Sequence, residues 1–326
     1  MQPLVQAEHL SVHFPVRRHL IFQKKKYVKA VSDVSLSIPR GETFGLVGES
    51  GCGKSTLGNT LLGMIRPTSG RVLFDGKDLG AANSREFKAL RQRMQMIFQD
   101  PYSSLNPRFT VSRIIAEPLR IRGGMTDEMM DARVRELLEM VGMTAEDMQR
   151  YPSDFSGGQR QRIGIARALA LSPEFIVCDE PISALDVSVH AQILNLLMDL
   201  QEKLGLTYLF ISHNLAVVRD ICSQVAVMYL GSTMESGPTD AVFRHPAHPY
   251  TQFLLSAVLD TDVDSPSQRM LLEGEIPSPI DAPQGCRFCT RCPYANDLCR
   301  KSTPGLLEIE PGHCVACHRV GQPGAR

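Results

Sequence analysis

The stretch Gly48-Glu49-Ser50-Gly51-Cys52-Gly53-Lys54-Ser55-Thr56 opens with a full match to the pattern G-x-x-x-x-G-K-[ST], whose chemistry is the holding of phosphate. Its glycines let backbone N–H groups curl round phosphate oxygens, and a helix opening near Lys54 points its positive dipole end at them. Lys54 then reaches the β- and γ-phosphates of a nucleotide, while the Ser55 hydroxyl ligates Mg²⁺. About 125 residues further on, the apolar run Phe175-Ile176-Val177-Cys178 ends in Asp179-Glu180, which places one carboxylate on the cation and a second beside an attacking water as general base. A third set is Cys286, Cys289, Cys292, Cys299, Cys314 and Cys317, separated by two, two, six, fourteen and two residues. Thiols this dense in a reducing compartment are usually gathered by a metal.

The elements that position these groups follow from pattern. Thr43 to Val47 is a short apolar strand before the phosphate loop, and Leu57 to Leu62 continues as a helix after it. Leu4 to Phe14 and Val28 to Ile38 read as strands joined by a basic loop that holds Arg17-Arg18 and Lys24-Lys25-Lys26. Pro67-Thr68-Ser69-Gly70 turns into the strand Arg71 to Phe74, and Met94 to Phe98 is a strand that ends at Gln99. From about Gln99 to Pro152, Met129, Val134, Leu137, Leu138 and Val141 recur at helical spacing. A helix is also expected from Gln159 to Ala170, and Asp260 to Pro283, rich in Asp, Ser and Pro, reads as a linker.

Composition bounds the reading. The chain has 326 residues with 35 basic and 35 acidic side chains, which gives no support to a general nucleic-acid binder. There is no charged and apolar leader at Met1 to Glu8 and no apolar run of membrane-spanning length. A soluble protein in a reducing cytoplasm is expected, its membrane contact made through a partner. Nine cysteines, an odd number, argue against a disulfide framework. Cys178 and Cys222 lie among apolar residues and are read as core.

With Phe155-Ser156-Gly157-Gly158-Gln159 some twenty residues before Asp179, the chain resembles the ATP-binding-cassette (ABC) family from about Leu4 to Gly237. The resemblance implies an α/β P-loop NTPase cassette: a RecA-like core with an antiparallel β subdomain and a helical subdomain. In that family Ser156, Gly157, Gly158 and Gln159 clasp the γ-phosphate of ATP held by the opposite subunit's loop of Gly48, Ser50, Gly51, Cys52, Gly53, Lys54, Ser55 and Thr56. Gln99 contacts Mg²⁺ or the attacking water and senses the membrane partner. Asp179 holds Mg²⁺ and Glu180 is the base. His213 lies at the γ-phosphate, and Ser183-Ala184-Leu185-Asp186 links the two composite sites across the dimer. Phe14 or Tyr27 stacks on adenine. Phe155 and Ile182 depart from the usual Leu and Thr and leave these groups in place.

Phe98 to Pro107, with its Gln-Asp-Pro-Tyr core, and His245-Pro246-Ala247-His248-Pro249-Tyr250-Thr251 are similar to the dipeptide, oligopeptide and nickel uptake branch, second-cassette type. That resemblance implies an ATPase subunit driving import of di- or oligopeptides. Its expected partners are a second, related cassette, two transmembrane permease subunits and an extracytoplasmic peptide-binding protein, at the cytoplasmic face of the membrane. Import of nickel or another solute, and a soluble ABC ATPase acting on nucleic acid, are the alternatives. The expected division is a cassette over 1–240 with its helical part at about 99–165, an extension and linker over 241–283, and a small Cys-rich domain over 284–326. Members of the branch carry cysteines matching Cys286, Cys292, Cys299 and Cys317, and some bind a [4Fe–4S] cluster there. Zinc or metal-free thiols remain open, with Cys289 and Cys314 as possible substitutes.

Overall fold

The computed structural model describes residues 3–16, 25–256 and 274–320. Arg17, Arg18, Lys24 and the linker residues between 257 and 273 lie outside the described residues. In chain order come β1 (Val5–Pro15), β2 (Tyr27–Ile38), β3 (Thr43–Val47), α1 (Lys54–Leu61), β4 (Ser69–Phe74), β5 (Lys77–Asp78), α2 (Ser84–Gln92) and β6 (Met94–Ile97). Next are α3 (Pro101–Ser104), α4 (Val111–Arg122), α5 (Asp127–Met140), α6 (Gly157–Leu169), β7 (Phe175–Asp179), α7 (Val187–Leu204) and β8 (Thr207–Ser212). The last are α8 (Leu215–Ile221), β9 (Gln224–Tyr229), β10 (Ser232–Pro238), α9 (Thr239–Arg244), α10 (Pro249–Ser256), α11 (Asp297–Lys301), β11 (Leu307–Glu310) and β12 (His313–Val315). The chain forms two compact units, one mainly Ala81–Leu209 with Pro39–Glu42, the other Val5–Ile38, Thr43–Gly80 and the described residues from Phe210 onward.

The second of these units contains an antiparallel sheet in the order β2-β1-β4-β5. In β1, Val5 and Ala7 point inward, and then His9 takes a positive φ of 49° and the register shifts between Ala7 and Leu10. That bulge restores the inward phase, so Leu10 and Val12 are buried as well. The same unit holds the strand order β11-β12-β10-β9-β3. β3 runs parallel to β9 with every residue buried, as expected of a strand covered on both faces. Gly45 lets α8 lie close, because a Cβ there would stand 2.7 Å from Val218 Cγ1.

The cysteine-rich tail is built onto this sheet, with Glu235 opposite Val315 and Ser236 opposite Cys314. Glu235 is fully buried, and its carboxylate is saturated by the N–H groups of Ala247 (2.8 Å) and His248 (2.9 Å) and by Nε2 of His313 (2.7 Å). A buried carboxylate is tolerated only with such partners. His248 in turn accepts the N–H of Tyr250 at Nδ1 (3.0 Å). Its ring is therefore neutral, and burial lowers its pKa to about 4 against the opposing pull of Glu235.

In the other unit β6 and β7 are parallel, with Ile97 opposite Cys178. Around them α4, α5 and α6 contribute Ile114, Ile115, Leu119, Val134, Leu137, Leu138, Ile163 and Leu169 to the core. Each helix opens on a hydroxyl cap, from Thr110, Thr126 and Ser156. The expected helical stretch after Gln99 is broken into α3, α4, α5 and two 3₁₀ turns, Ala145–Gln149 and Pro152–Asp154. Helix α6 starts two residues before the expected Gln159, because the Ser156 cap admits Gly157 and Gly158 to its first turn.

His248 titrates near its ordinary value of about 6.5 when unfolded and only near 4 when folded. Its contribution is whole above about pH 6.5 and is lost as pH falls towards 4, by about 3 kcal/mol. Urea unfolding at pH 7.5 and 5 should register about 2 kcal/mol of this loss, and His248→Asn should flatten the dependence. Equal slopes in the two proteins would reject it.

Candidate functional site

The phosphate loop leaves β3 through Gly48, Gly51 and Gly53, whose φ angles are 148°, 76° and 106°. A Cβ on Gly48 would stand 2.1 Å from the Met228 carbonyl oxygen, and one on Gly53 would stand 2.1 Å from that of Ala30. Only glycine fits either place. Gly53 occupies the N-cap of α1 without a side-chain cap bond, so the first-turn amides keep their outward donors. Lys54 is buried, and its ammonium spans the loop, donating to the carbonyls of Gly48 (2.7 Å) and Glu49 (3.0 Å). The Cys52 thiol is buried 3.9 Å from that ammonium, and burial raises its pKa despite the nearby charge. Ser55 and Thr56 follow in α1. In the same unit His213 follows β8, just before Asn214 caps α8 through the amides of Ala216 and Val217.

Phe14 and Tyr27 are each 39% exposed. Phe14 pairs with Val28 and Tyr27 with Pro15, so the two rings project to opposite faces of the β1–β2 hairpin. A ligand on one face can meet only one of them.

The other unit carries the carboxylates. Asp179 is buried at the end of β7 and Glu180 is the next residue. Gln99 lies two residues past the end of the paired β6, and its Nε2 donates to Glu180 Oε2 at 2.8 Å. Glu180 has a φ of 46°, a left-handed conformation that a non-glycine residue adopts at a cost of about 1 kcal/mol. Ser183 Oγ donates to the Glu180 carbonyl (3.1 Å), which closes the turn. Strain at this residue, together with the Gln99 bond, aims its carboxylate.

Ser156 and Gln159 form a capping box: Gln159 N–H donates to Ser156 Oγ (3.4 Å), and Ser156 N–H donates to Gln159 Oε1 (3.0 Å). Gly157 and Gly158 lie against the segment that includes Asp186, since a Cβ on Gly158 would stand 2.5 Å from Val189 Cγ1 and one on Gly157 3.3 Å from Leu185 Cδ2. Two arginines of α6 clamp the stretch after Gln99. Arg160 lies 4.1 Å from the Tyr102 ring centroid, and Arg167 donates to the Ser104 carbonyl (2.6 Å) with the Phe98 ring 5.6 Å away. Nothing in the sequence pattern had singled out these arginines, although both follow Ser156 in the same helix.

In the tail Cys286, Cys289 and Cys299 are buried, and Cys292, Cys314 and Cys317 are half-buried as free thiols. Burial pushes Cys286 up to about 12, and the charges of Cys299, Cys289 and Cys317 add to this. Burial raises Cys292 and Cys317 too, with further contributions from Cys317 and Cys299 on the first and from Cys299 on the second. Cys286, Cys292, Cys299 and Cys317 thus share one electrostatic neighbourhood, which Cys289 borders. Cys314 stands apart beside Glu308. Among the described residues, no three His, Cys, Asp or Glu side chains stand in a metal-holding arrangement.

Residues 31–183 match the ABC transporter family, and residues 234–299 match the oligopeptide/dipeptide transporter C-terminal region. The chain is 53% identical to the putative oligopeptide transport ATP-binding protein YkfD of Bacillus subtilis, over 97% of this chain and 95% of that protein. It is 48% identical to the oligopeptide transport ATP-binding protein AppF of the same organism, over 97% of each. A putative peptide import ATP-binding protein of Brucella ovis is 50% identical over 97% of this chain and 98% of its own length. Among solved structures, cbiO1 of Clostridium perfringens, part of the ABC transporter complex cbiONQ, aligns with a TM-score of 0.64 at 26% identity over 75% of this chain and 92% of that one. The dimeric cassette MJ0796 in a post-hydrolysis state with ADP and Pi aligns at 0.62 and 29% identity, over 72% and 98%. Near full-length similarity to these relatives, over a fold and phosphate loop of the same kind, means that the chain belongs to the ABC transporter family as one of its ATP-binding proteins.

Proposed function

We propose that this chain hydrolyses ATP to drive peptide import, working as a peripheral subunit beneath two membrane permeases and paired with a second, related cassette. One observation carries the chemical part: Gln99 Nε2 holds Glu180 Oε2 at 2.8 Å. This orients the carboxylate assigned as the base. The peptide cargo is supported by the C-terminal region match and by the names of the relatives. No helix among the described residues is long and apolar enough to cross a membrane, which fits a subunit that reaches the bilayer through permeases.

In this reading the amides of the phosphate loop and Lys54 hold the nucleotide phosphates. Ser55, Asp179 and Gln99 supply hard oxygen donors suited to Mg²⁺, which when bound neutralises phosphate charge. Glu180 accepts the proton of the attacking water, and His213 donates to the γ-phosphate. Ser156, Gly157, Gly158 and Gln159 cap the nucleotide held by the partner cassette, while Asp186 communicates between the two sites. Adenine stacks on Phe14 or Tyr27. Closure on two nucleotides shifts the population that the permeases read, and hydrolysis reopens the pair.

The tail thiols supply the donor chemistry of a metal centre, since burial and the charges of Cys299 and Cys317 raise both Cys286 and Cys292, although no three stand in a metal-holding arrangement among the described residues. A cation there would reverse that rise. Cys286, Cys292, Cys299 and Cys317 would hold a [4Fe–4S] cluster or a zinc ion, which would tie the tail segments together.

Glu180→Gln should keep ATP binding, lower hydrolysis by ~10²–10⁴-fold and accumulate nucleotide-bound closed dimers in size-exclusion chromatography with ATP. Cells carrying it should fail to take up labelled di- or oligopeptides. Unchanged ATPase activity removes Glu180 from the role of base. Anaerobic purification should yield about four irons and four sulfides per chain with broad visible absorption. One zinc without colour would make the centre structural, and protein with neither metal would discard it.

A further inference from the structure

We infer that the cysteine-bearing loop of the tail sets the shape of the phosphate loop, with Arg291 and Tyr250 as positioning residues acting through Glu49. This rests on the reading of that loop as the ATP site. All of these residues lie in one compact unit. Glu49, directly after Gly48, is held at three points. Its carboxylate accepts from Arg291 Nη1 at 2.8 Å, its backbone N–H donates to Tyr250 Oη at 3.0 Å, and its carbonyl accepts from the Lys54 ammonium at 3.0 Å. The ammonium assigned to the phosphates is therefore one residue removed from a tie made 242 positions along the chain.

The tie is set in a dry environment. The Arg291 and Glu49 side chains are 8% and 21% exposed, and a charge pair so placed loses more on desolvation than an apolar pair would. Fold stability alone gives little reason to retain it. Arg291 also reaches Tyr229 Oη (3.4 Å) and lies 5.8 Å from that ring's centroid. Tyr229, Tyr250 and Phe288 form a buried aromatic cluster with centroids 4.8 to 5.3 Å apart. Phe288 and Arg291 are two of the four residues between the thiols in Cys286-Arg287-Phe288-Cys289-Thr290-Arg291-Cys292. The amides of Arg291 and Cys292 both donate to the Phe288 carbonyl (3.0 Å each), a tight turn that carries the thiols together with Phe288 and Arg291 on one short segment. Whatever holds Cys286 and Cys292 in place therefore holds the clamp on Glu49.

The test is a double-mutant cycle on the full-length chain, reading KM for ATP and kcat separately. Arg291→Met and Glu49→Gln should each raise KM on the order of tenfold with kcat within about twofold. The double variant should be no worse than either single one, because both remove one contact. Arg291→Lys should recover part of the loss, and Tyr250→Phe should act in the same direction. Cys292→Ser should raise KM in the native background and add nothing in Glu49→Gln. Glu49→Gln replaces a single heavy atom, so its KM, with that of Arg291→Lys, still decides if Arg291→Met fails to fold. An unchanged KM in Glu49→Gln, or effects that multiply in the double variant, would overturn the inference. A native chain that neither binds nor hydrolyses ATP would instead sink the ATPase reading, whatever the variants do.

Discussion

Backbone crowding at the phosphate loop is the constraint on which the rest depends. The carbonyls of Met228 and Ala30 stand where side chains at residues 48 and 53 would be, so the loop threads between the end of β9 and the strand β2. That threading turns Lys54 inward over the Gly48 and Glu49 carbonyls. It also starts α1 with donors aimed at the space in front of the loop. A looser loop would admit ordinary residues but would leave its amides free to turn towards water, and pre-organised donors are what make a phosphate site strong.

Rigidity of this kind is provided differently for the carboxylates. Asp179 closes a wholly buried strand and inherits its position from β7. Glu180 lies one step outside, where a left-handed backbone and the hydrogen bond from Gln99 orient it. A carboxylate accepts several hydrogen bonds at once, so a donor that orients it does not by itself prevent proton acceptance. Gln99 itself begins a segment clamped by Arg160 and Arg167 of the helix that Ser156 caps. Within this unit, a shift of α6 is therefore transmitted to the neighbour of the base through cation–π and hydrogen-bond contacts.

Short-range chemistry made much of this legible in the sequence. The phosphate loop, the apolar strands β3 and β7 and the Ser-Gly-Gly-Gln stretch that opens α6 each declare themselves within a dozen residues. What stayed hidden is long-range or unsignalled. The β11 segment Leu307-Glu308-Ile309-Glu310 is exposed throughout, so no burial pattern marks where the tail joins the sheet. A left-handed glutamate has no sequence signature, and the bulge at His9 shows only as a lost phase. Tyr250 stands in the sequence only as part of a His-Pro marker, and Arg291 only as an unmarked position between two thiols. Their shared partner lies 201 and 242 positions away, beyond any periodicity.

That separation also explains why the tail can be more than an appendage. Ordering a distant segment against a loop has an entropic cost that grows only slowly with the length of chain between them. Burial of Tyr229, Tyr250 and Phe288, with Glu235 saturated by His313 and two amides, offsets that cost with contacts unrelated to nucleotide. Because docking is secured elsewhere, the Arg291–Glu49 pair is free to serve geometry: its charge-assisted bond, Nη1 to Oε2 at 2.8 Å, pins one carboxylate oxygen in a fixed direction. That bond meets Glu49 two residues past the end of β3, and the Glu49 carbonyl accepts from the Lys54 ammonium, so a small displacement there is passed to Lys54.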